Sequence, residues 1–339
     1  MGSPSLSVVI PTRKRAASLI CCVGSVLEND CPELLEIIII ANPDDCATLA
    51  FCSEMKKTRP KIRLELSSLA CRNASKNLAA EKARGDYLYF LDDDITLPKG
   101  NINALLEKIS AHPQAAALGG PNLTPPHSGN IWEQAIGLVL IQPFATYMTR
   151  ARYLKAPREF KASENSLQSC NLCIKKSVMK KFSPPFETRM FSGEETLLLY
   201  RMRQSGMEML SAPELSAEHH RRSGFVSFCR QIFLCGAGRA QMARMERASF
   251  RVVFALPSIF VLYLIYLALF PPAYTDSLLW WPLYAYAGLL GLSALAIALN
   301  SPLPATALSL ALIAALHVSY GAGFMAGLFA DKKTPKPIS

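Results

Sequence analysis

GDYLYFLDDD, at residues 85–94, joins a Gly-Asp turn, a short apolar run and three adjacent aspartates. Residues 87–91 are all aliphatic or aromatic, which is typical of a strand buried on both faces of a parallel sheet. The aspartates would then stand at the carboxyl end of that strand. Open α/β sheets bind ligands at the carboxyl ends of their strands. This stretch therefore predicts both a fold class and the place of a site.

Further segments upstream and downstream fit the same fold. Residues 6–10 and 35–40 are apolar runs ended by turn signals, and residues 16–28 between them place apolar side chains on one helical face, which makes a βαβ unit. Helices are also predicted over residues 73–82 and 101–110. The alternation predicts an α/β fold with an open, mostly parallel sheet and helices on both faces.

The three aspartates are the strongest chemical signal in the chain. Adjacent carboxylates repel one another, and a divalent cation is the usual reason for gathering hard oxygen ligands without a neutralising base nearby. A solvated acidic turn is the alternative for Asp92, Asp93 and Asp94 taken alone. The buried strand before them favours a site, because it would hold them at the ligand-binding edge of the sheet.

Two weaker signals lie elsewhere. Glu194 and Glu195 follow a glycine and open a helix, where one acid can lie near the helix dipole and the other can act as a general base. Arg72 and Asn73 precede a helix, and Arg13, Lys14 and Arg15 follow the first strand, an arrangement that suits a diphosphate. A solvated basic loop is the alternative for these cations.

The chain is basic overall and apolar at its end. It has 36 Lys plus Arg against 26 Asp plus Glu, yet residues 252–330 contain a single charged residue, Asp276. A membrane-spanning helix needs about 20 apolar residues, so a wholly soluble protein is excluded. The N-terminus lacks a signal-peptide pattern, and the bulk of the chain is expected in the cytoplasm, at the inner membrane of the cell.

The apolar end divides at prolines into three segments, residues 252–270, 278–299 and 305–330. Three spans from a cytoplasmic start would place Lys332, Lys333 and Lys336 outside, against the positive-inside tendency. Either the first segment is re-entrant, which leaves two spans, or the tendency is broken. Residues 130–152 form a shorter, nearly uncharged stretch that is expected either in the core or at the membrane interface.

Residues 219–251 hold seven arginines and one acid, interleaved with aromatic and aliphatic side chains. A basic stretch directly before an apolar tail predicts an interfacial helix on anionic lipid. No nucleic-acid recognition motif accompanies the charge, so nucleic acid is not an expected partner. Cys170 and Cys173 form the one CxxC, without a second pair to complete a zinc site, and the ten cysteines are expected to be reduced.

Together, these pieces resemble the family 2 glycosyltransferases of GT-A fold. The resemblance runs in order over roughly residues 5–245, through SVVIPTRKR, EIIII, CRNASKNLAAEKARGDYLYFLDDD, the Cys170-Asn171 pair, FETRMFSGEETLLLYRMRQSG and HHRRSGFVSFCRQIFLCGAGRAQ. The tail, with HVSYGAGFMAGL, is similar to membrane-bound bacterial members that build exopolysaccharide, such as succinoglycan, and lipid-linked glycans.

The resemblance implies a role for each matching residue. Asp92 and Asp94 match the family's DxD motif, with Asp94 coordinating Mg²⁺ or Mn²⁺ and Asp92 reaching the ribose or the metal. Glu195, paired with Glu194, occupies the place of the catalytic base. The nucleotide sugar would contact the following residues: Pro11, Thr12, Arg13, Asn42, Arg72, Asn73, Asp92, Asp93 and Arg222. His220 would supply an imidazole to the metal, although a polar linker is an equal interpretation of residues 219–222.

Three departures from the family pattern stand out. An aspartate usually follows the second strand, but here Asn42 stands there and Asp44 follows one turn later, which leaves the nucleotide base open. Glu195 replaces an aspartate and lengthens the base by one methylene. Residues 241–245 lack the tryptophan of the QxxRW motif found in processive synthases.

The predicted function is a metal-dependent, inverting glycosyltransferase of cell-surface or exopolysaccharide synthesis. Its partners would be a nucleoside-diphosphate sugar, a polyprenyl-diphosphate-linked glycan acceptor and anionic membrane lipids. The predicted organisation is a GT-A domain over residues 1–222, a basic interfacial segment over 223–251, two to three transmembrane helices over 252–330 and a basic tail over 331–339. A polyprenyl-phosphate sugar transferase, a processive synthase and a non-catalytic membrane adaptor are the alternatives.

Overall fold

A computed structural model describes residues 3–68, 71–126, 129–221, 224–271, 277–299 and 301–330. The strands are β1 Leu6–Pro11, β2 Leu34–Ala41, β3 Ile62–Leu66, β4 Tyr87–Leu91, β5 Ile95–Thr96, β6 Ala115–Gly119, β7 Asn122–Leu123, β8 Phe160–Lys161, β9 Asn171–Lys175, β10 Glu208–Ser211 and β11 Ala217–His219. The helices are α1 Ala16–Leu27, α2 Cys46–Thr58, α3 Arg72–Lys82, α4 Asn101–Ala111, α5 Ile131–Leu140, α6 Pro143–Thr146, α7 Lys176–Met179, α8 Glu194–Gln204, α9 Phe225–Met245, α10 Leu256–Leu269, α11 Ser277–Ala298 and α12 Leu303–Phe329.

Eight strands form the main sheet in the order β3-β2-β1-β4-β9-β6-β10-β8. The pairs β2–β3, β1–β2, β1–β4 and β6–β10 are parallel, whereas β9 runs antiparallel to both of its neighbours and β8 is antiparallel to β10. The predicted open, mostly parallel sheet is confirmed. The predicted helices over residues 16–28, 73–82 and 101–110 correspond to α1, α3 and α4 within one residue at each end.

Two apolar cores cover the two faces of this sheet. Along β2, Ile37 and Ile39 pack into one core and Ile38 and Ile40 into the other, as the period-two alternation of strand side chains requires. All of them are essentially inaccessible to solvent. The unbroken run of isoleucines is therefore explained by burial on both sides of the strand.

The order of the strands creates a switch point between β1 and β4. From β1 the chain proceeds to β2 and β3 on one side, and then crosses to the other side to form β4. Connections on opposite sides leave a crevice outside the carboxyl ends of these two strands. Thr12 and Asp92, which directly follow β1 and β4, therefore stand at this crevice.

A small second sheet lies beside the crevice, in the order β5-β11-β7. The strand β5 follows the three aspartates, and β11 pairs with it antiparallel, with His219 opposite Ile95. This pairing brings the histidine-arginine stretch, which is remote in sequence, to the end of β4.

The C-terminal helices pack against one another and against the sheet domain. α12 lies along α9 and also contacts α5, α10 and α11. Part of the stretch over residues 130–152 is packed inside the protein: α5 contributes Ala135, Ile136 and Val139 to an apolar cluster with Leu312 and Ile313 of α12, whereas Tyr147 is mostly exposed. In the described part of the chain, α11 and α12 are long and apolar enough to cross a membrane, whereas α10 has 14 residues.

Glycines allow the close approach of α9 and α12. A Cβ atom at Gly323 would overlap the carbonyl of Phe233, and one at Gly236 would overlap the carbonyl of Tyr320. Small residues at such contacts are typical of helices packed in membranes. A Cβ atom at Gly288 of α11, in contrast, would meet no other atom within 4 Å among the described residues.

We expect Gly323→Ala to destabilise the protein because the added methyl forces α9 and α12 apart. Overpacking of this kind costs about 1–3 kcal/mol, which would appear as a lower melting temperature in detergent. Gly288→Ala is the matched control and should leave the melting temperature unchanged or slightly higher, since alanine favours helix. Equal melting temperatures for the two variants would contradict the close helix contact.

Candidate active site

The three aspartates after β4 form one wall of a cavity. Arg15 neutralises two of them: its Nη1 donates to Oδ1 of Asp93 at 2.5 Å, and its Nη2 donates to Oδ2 of Asp94 at 2.8 Å. Arg15 follows β1, so the pairing of β1 with β4 brings this cation to the carboxylates. Nη1 of Arg72 lies 3.5 Å from Oδ2 of Asp92.

The surroundings give the aspartates different proton affinities. Burial raises the pKa of Asp93 to about 6, against the opposing charge of Arg15 and a 2.7 Å hydrogen bond from the Thr12 hydroxyl. Burial acts on Asp94 as well, but His219 and Arg15 together hold the pKa of Asp94 below its usual range. The negative charge of Asp94 is therefore strongly stabilised.

Asp92 and Asp94 fit a divalent cation. Oδ1 of Asp92 is buried and has no hydrogen-bond partner in the described part of the chain, and Oδ1 of Asp94 lies 3.3 Å from Nε2 of His219. No three His, Cys, Asp or Glu side chains among the described residues converge into a closed metal site. Mg²⁺ is usually bound by one or two carboxylates together with substrate phosphates, so Oδ1 of Asp92 and Oδ1 of Asp94 suit it. The sequence predicted no neutralising base beside the aspartates, and Arg15, which holds Oδ2 of Asp94, corrects that expectation.

The histidine beside Asp94 is His219, which corrects the expectation for His220. The His220 ring is half exposed, with Nε2 3.2 Å from Oγ1 of Thr96 and Nδ1 4.0 Å from Oε1 of Glu133. β11 ends at His219 and His220 follows it, and the two rings contact different groups. Sequence adjacency alone did not distinguish the two.

Glu194 opens α8 and is tied to a lysine in the interior. Lys76 of α3 is fully buried, and its Nζ donates to Oε1 of Glu194 at 2.8 Å and to Oγ of Ser169 at 2.8 Å. Burial alone would raise the pKa of Glu194, but the charge and hydrogen bond of Lys76 hold that pKa below its usual range. Glu194 is therefore a fixed negative charge.

Glu195 has different surroundings from its neighbour. Its Oε1 accepts a hydrogen bond from the Thr196 hydroxyl at 3.1 Å and lies 3.7 Å from Nη1 of Arg152. Burial, and then the charge of Glu194, raise the pKa of Glu195. Two adjacent glutamates with pKa values displaced in opposite directions are typical of an active site in which one group handles protons.

Eleven of the predicted residues line a single cavity with a volume of about 1890 Å³. They come from the ends of β1, β2 and β4 and from the first turns of α3 and α8: Pro11, Thr12, Arg13, Asn42, Arg72, Asn73, Asp92, Asp93, Asp94, Glu194 and Glu195. Asp44 instead pairs with Lys14 at 3.1 Å, with both side chains more than half exposed. Arg222 lies outside the described residues.

Some of these residues also brace the site. The side-chain amide of Asn73 donates to the carbonyl of Glu187 at 2.9 Å, which ties α3 to the segment before α8. The Gln241 side chain of α9 accepts from the backbone of Phe191 at 2.9 Å and donates to the carbonyl of Arg189 at 3.3 Å. The segment that carries the two glutamates is thus held from two sides.

Two important residues were not predicted from the sequence. Lys76 could have been found, because it lies four residues after Arg72 and therefore on the same face of α3. Arg152 has no such local signal: it ends a nearly uncharged stretch and reaches the site only through the fold. Its guanidinium donates to the carbonyls of Glu164 and Asn165 at 2.7 and 3.0 Å.

The cavity continues from Glu195 to the C-terminal helices, where aromatic side chains form its walls. Phe144 lies 5.5 Å from Tyr286, measured between ring centroids, and Phe260 stacks on Tyr286 at 4.3 Å. His317 of α12 contacts the Tyr286 hydroxyl through Nδ1 at 3.0 Å. One cavity thus joins the carboxylates at the sheet edge to the apolar helices.

Comparisons with known proteins agree with this geometry. Residues 7–178 match the family described as Glycosyl transferase family 2. Glycosyltransferase AglE of Haloferax volcanii is 22% identical over 255 residues, which cover 75% of this chain and 79% of that protein. A Campylobacter jejuni enzyme, GalNAc(5)-diNAcBac-PP-undecaprenol beta-1,3-glucosyltransferase, is 30% identical over 107 residues, which cover 31% of this chain and 34% of that enzyme.

Solved structures share the fold. The mannosyltransferase PcManGT of Pyrobaculum calidifontis, in complex with GDP-Man and Mn²⁺, superimposes with a TM-score of 0.61 at 14% identity, over 97% of this chain and 88% of that one. GalNAc-T7 with UDP, GalNAc and Mn²⁺ gives a TM-score of 0.51 at 14% identity, over 73% of this chain and 51% of that one. The GT-A-like α/β fold with a mostly parallel sheet is thereby confirmed.

Lys76→Met should destabilise the protein strongly, because it leaves Glu194 as a buried charge without its partner. Loss of one member of a buried ion pair costs about 3–5 kcal/mol. The double variant Lys76→Met/Glu194→Gln should recover part of that loss, as measured by unfolding in detergent. Lys57→Met, which removes an exposed lysine paired with Glu54, is the control and should change stability by less than about 0.5 kcal/mol.

Proposed function

The chain belongs to glycosyl transferase family 2, and we propose that it moves a sugar from a nucleoside-diphosphate sugar to a hydroxyl of a lipid-diphosphate-linked glycan, with inversion at the anomeric carbon. The observation that carries this proposal is the single cavity that joins Asp92 and Asp94, Glu195 and the aromatic walls of the C-terminal helices. Such a cavity accommodates an anionic donor and an amphipathic acceptor at once.

The donor would lie over the carboxyl ends of β1, β2 and β4. Pro11, Thr12, Arg13 and Asn42 would surround the nucleotide base and ribose, since all four line the cavity at that end. Arg72 is more than half exposed and free to turn from Asp92 toward a phosphate. The nucleotide itself is not specified by these contacts.

Asp92 and Asp94 would hold Mg²⁺ or Mn²⁺, and such a cation, when bound, stabilises the negative charge of a departing diphosphate. His219 and Arg15 keep Asp94 ionised and therefore ready to bind a cation. The GT-A structures with Mn²⁺ support divalent-metal dependence.

Glu195 would act as the general base. Its carboxylate takes the proton of the acceptor hydroxyl, the hydroxyl oxygen forms the new bond to the anomeric carbon, and the bond from that carbon to the diphosphate breaks on the opposite face. Its raised pKa brings the base nearer to neutral pH, where proton transfer is most effective. Lys76 keeps Glu194 charged beside it.

The acceptor class is supported by the apolar helices and by a relative. The Campylobacter enzyme is named for a diphosphate-undecaprenol acceptor, and the cavity of this chain ends among α10, α11 and α12. We extend the acceptor class to this chain on those two grounds, within cell-surface or exopolysaccharide synthesis.

The membrane arrangement that fits best has two spans. α10 is about 21 Å long at 1.5 Å per residue, too short for a hydrocarbon core of about 30 Å. With α11 and α12 as the spans, the basic tail over residues 331–339, which lies outside the described residues, returns to the cytoplasmic side with the catalytic domain. Residues 1–222 would form that domain at the inner membrane. Of the basic segment over 223–251, α9 packs along α12, so contact with anionic lipid would fall to the exposed Arg247 and Arg251 at its end.

A polyprenyl-phosphate sugar transferase is the second candidate. The same cavity would place a lipid phosphate near the donor, and the phosphate would attack without a general base. The buried position and raised pKa of Glu195 favour the hydroxyl acceptor instead.

Glu195→Gln should lower kcat by about 10² to 10⁴ while donor affinity is preserved, because the variant loses only the base. The assay screens nucleotide sugars with a lipid-linked acceptor and Mn²⁺ and measures released nucleoside diphosphate. In the wild type, activity should fall on acidification with an apparent pKa above that of an ordinary glutamate, since protonation removes the base.

Glu208→Gln, at an exposed glutamate paired with Lys161, is the control and should keep full activity. Full sugar transfer by Glu195→Gln would favour the phosphate acceptor of the second candidate. If the wild-type protein releases nucleoside diphosphate from none of the donors, sugar transfer itself is refuted.

Asp94→Asn should abolish metal-dependent binding of a nucleoside diphosphate, because a neutral amide is a poor ligand for a hard cation. Calorimetric titration with and without Mn²⁺ measures this, and removal of metal with EDTA should reproduce the effect in the wild type. Asp30→Asn, at a surface aspartate paired with Lys61, serves as the control. Metal-independent binding by the wild type would count against the assignment.

A further inference from the structure

A second pair of arginines lines the same cavity beside Glu195. Arg152 lies next to Glu195, and Arg239 is close enough for the charges of Arg152 and Glu195 to act on it. The aspartate end of the cavity balances Arg15 and Arg72 with three carboxylates. Among the described residues, Glu195 is the one carboxylate within ion-pair distance of Arg152 or Arg239, so this pair of cations is suited to an anionic ligand.

Arg152 is buried and rigidly held. Its Nε and Nη2 donate to backbone carbonyls and to the Thr196 hydroxyl at 3.0 Å, so two of its three nitrogens are engaged. The third, Nη1, makes no hydrogen bond within the described residues and lies 3.7 Å from Oε1 of Glu195. The N–H groups of Nη1 can therefore donate hydrogen bonds to a ligand that lies next to Glu195.

Arg239 of α9 stands in the same wall with neutral partners. Its Nη2 donates to the side-chain oxygen of Asn165 at 3.1 Å, and its guanidinium lies over the ring of Phe254 at 4.2 Å. No carboxylate in the described part of the chain lies within ion-pair distance of it. Burial lowers the pKa of Arg239, and the charge of Arg152 adds to that effect.

The nearby acids do not compensate these cations. Glu164 is already paired with Arg203 through two contacts of 2.7 and 3.2 Å. Glu195 alone faces Arg152, and it is the group whose charge burial disfavours. Two guanidinium groups held together in a poorly solvated wall repel each other, and a phosphate group that receives hydrogen bonds from both would remove the repulsion.

The apolar end of the cavity begins next to these arginines. Tyr320 and Phe254 adjoin Arg239, and Phe260 of α10 and Tyr286 of α11 line the same cavity. A ligand with an anionic head and a long apolar tail matches this sequence of surfaces. Free phosphate would leave the aromatic walls unused.

We propose that Arg152 and Arg239 form the subsite for the diphosphate of the lipid acceptor, with the lipid chain lying along the aromatic walls of Phe260 and Tyr286. The identity of the ligand as an acceptor rests on the proposed function. Binding of a lipid diphosphate to Arg152 and Arg239 does not depend on the proposed function.

The position of this subsite limits the length of the acceptor glycan. A base contacts the reacting hydroxyl at about 3 Å, and a charged hydrogen bond joins Arg152 to a phosphate at about 2.8 Å. With 3.7 Å between Arg152 and Glu195, the phosphate lies within about 10 Å of the hydroxyl. The acceptor is therefore a lipid diphosphate that carries one or two sugars, rather than a long glycan.

The binding experiment compares an isoprenyl diphosphate with the corresponding isoprenyl alcohol, on the full-length protein in detergent. The wild type should bind the diphosphate at least about tenfold more tightly than the alcohol, and Arg239→Gln should remove that advantage. Arg239→Lys retains the charge and should bind within a few-fold of the wild type. Arg158→Gln, at an exposed arginine outside the cavity, should bind as the wild type does.

Three results would overturn the subsite. They are equal binding of diphosphate and alcohol to the wild type, an unchanged affinity in a folded Arg239→Gln variant, and equal displacement of the ligand by phosphatidylglycerol, which would assign the site to bulk lipid headgroups. The comparison of diphosphate with alcohol uses only the wild-type protein, so it tests the subsite even if Arg239→Gln does not fold.

An acceptor series with one, two and six sugars on the same lipid diphosphate tests the length limit. The one-sugar and two-sugar acceptors should give the higher kcat/KM values, and the six-sugar acceptor should be at least about tenfold worse. A preference for six sugars would refute the length limit while leaving the proposed sugar transfer intact. No transfer to any of the three, with normal diphosphate binding, would instead refute the proposed acceptor and leave the subsite standing.

Discussion

The juxtaposition of β1 with β4 is the constraint on which the rest of the site depends. It puts three carboxylates at the end of one strand beside Arg15 at the end of the other, in a crevice that the crossover connections leave open. Carboxylates so close together need positive charge, and the fold supplies it from a neighbouring strand rather than from a local sequence partner. The small sheet then adds His219 from a third direction. Each of these contacts holds Asp94 ionised at the point where a donor diphosphate would arrive.

The two glutamates of α8 show how position separates similar groups. Both lie in the first turn of the same helix and both are buried. Lys76 compensates the charge of Glu194, and that fixed charge in turn disfavours ionisation of Glu195. A lysine in the interior thus influences a carboxylate that it does not bind. The family pattern of two adjacent acids is meaningful here because the fold gives the acids unequal partners.

The sequence predicted the central part of the fold, and most of its candidate site residues line one cavity, for a clear physical reason. β1, β2 and β4 are buried on both faces, so their apolar runs are unambiguous, and the residues that follow them line the cavity. β3 is only half buried and β6 is a run of small residues, so neither shows such a pattern. The distinction between His219 and His220 depends on the residue at which the three-residue strand β11 ends. Arg152 reaches Glu195 through tertiary packing, which no local spacing encodes.

The apolar helices α10, α11 and α12 form part of the cavity wall. α9 contacts α12 so closely that glycines are required on both helices, and a Cβ atom at Gly238 of α9 would overlap the carbonyl of Ser192, two residues before Glu194. Gln241 ties the same helix to Phe191. The position of the glutamates is therefore coupled, through α9, to the helices that would lie in the membrane. A substrate whose sugar reacts at Glu195 while its lipid stays in the bilayer needs such a coupling, because the distance from the membrane to the base must stay fixed.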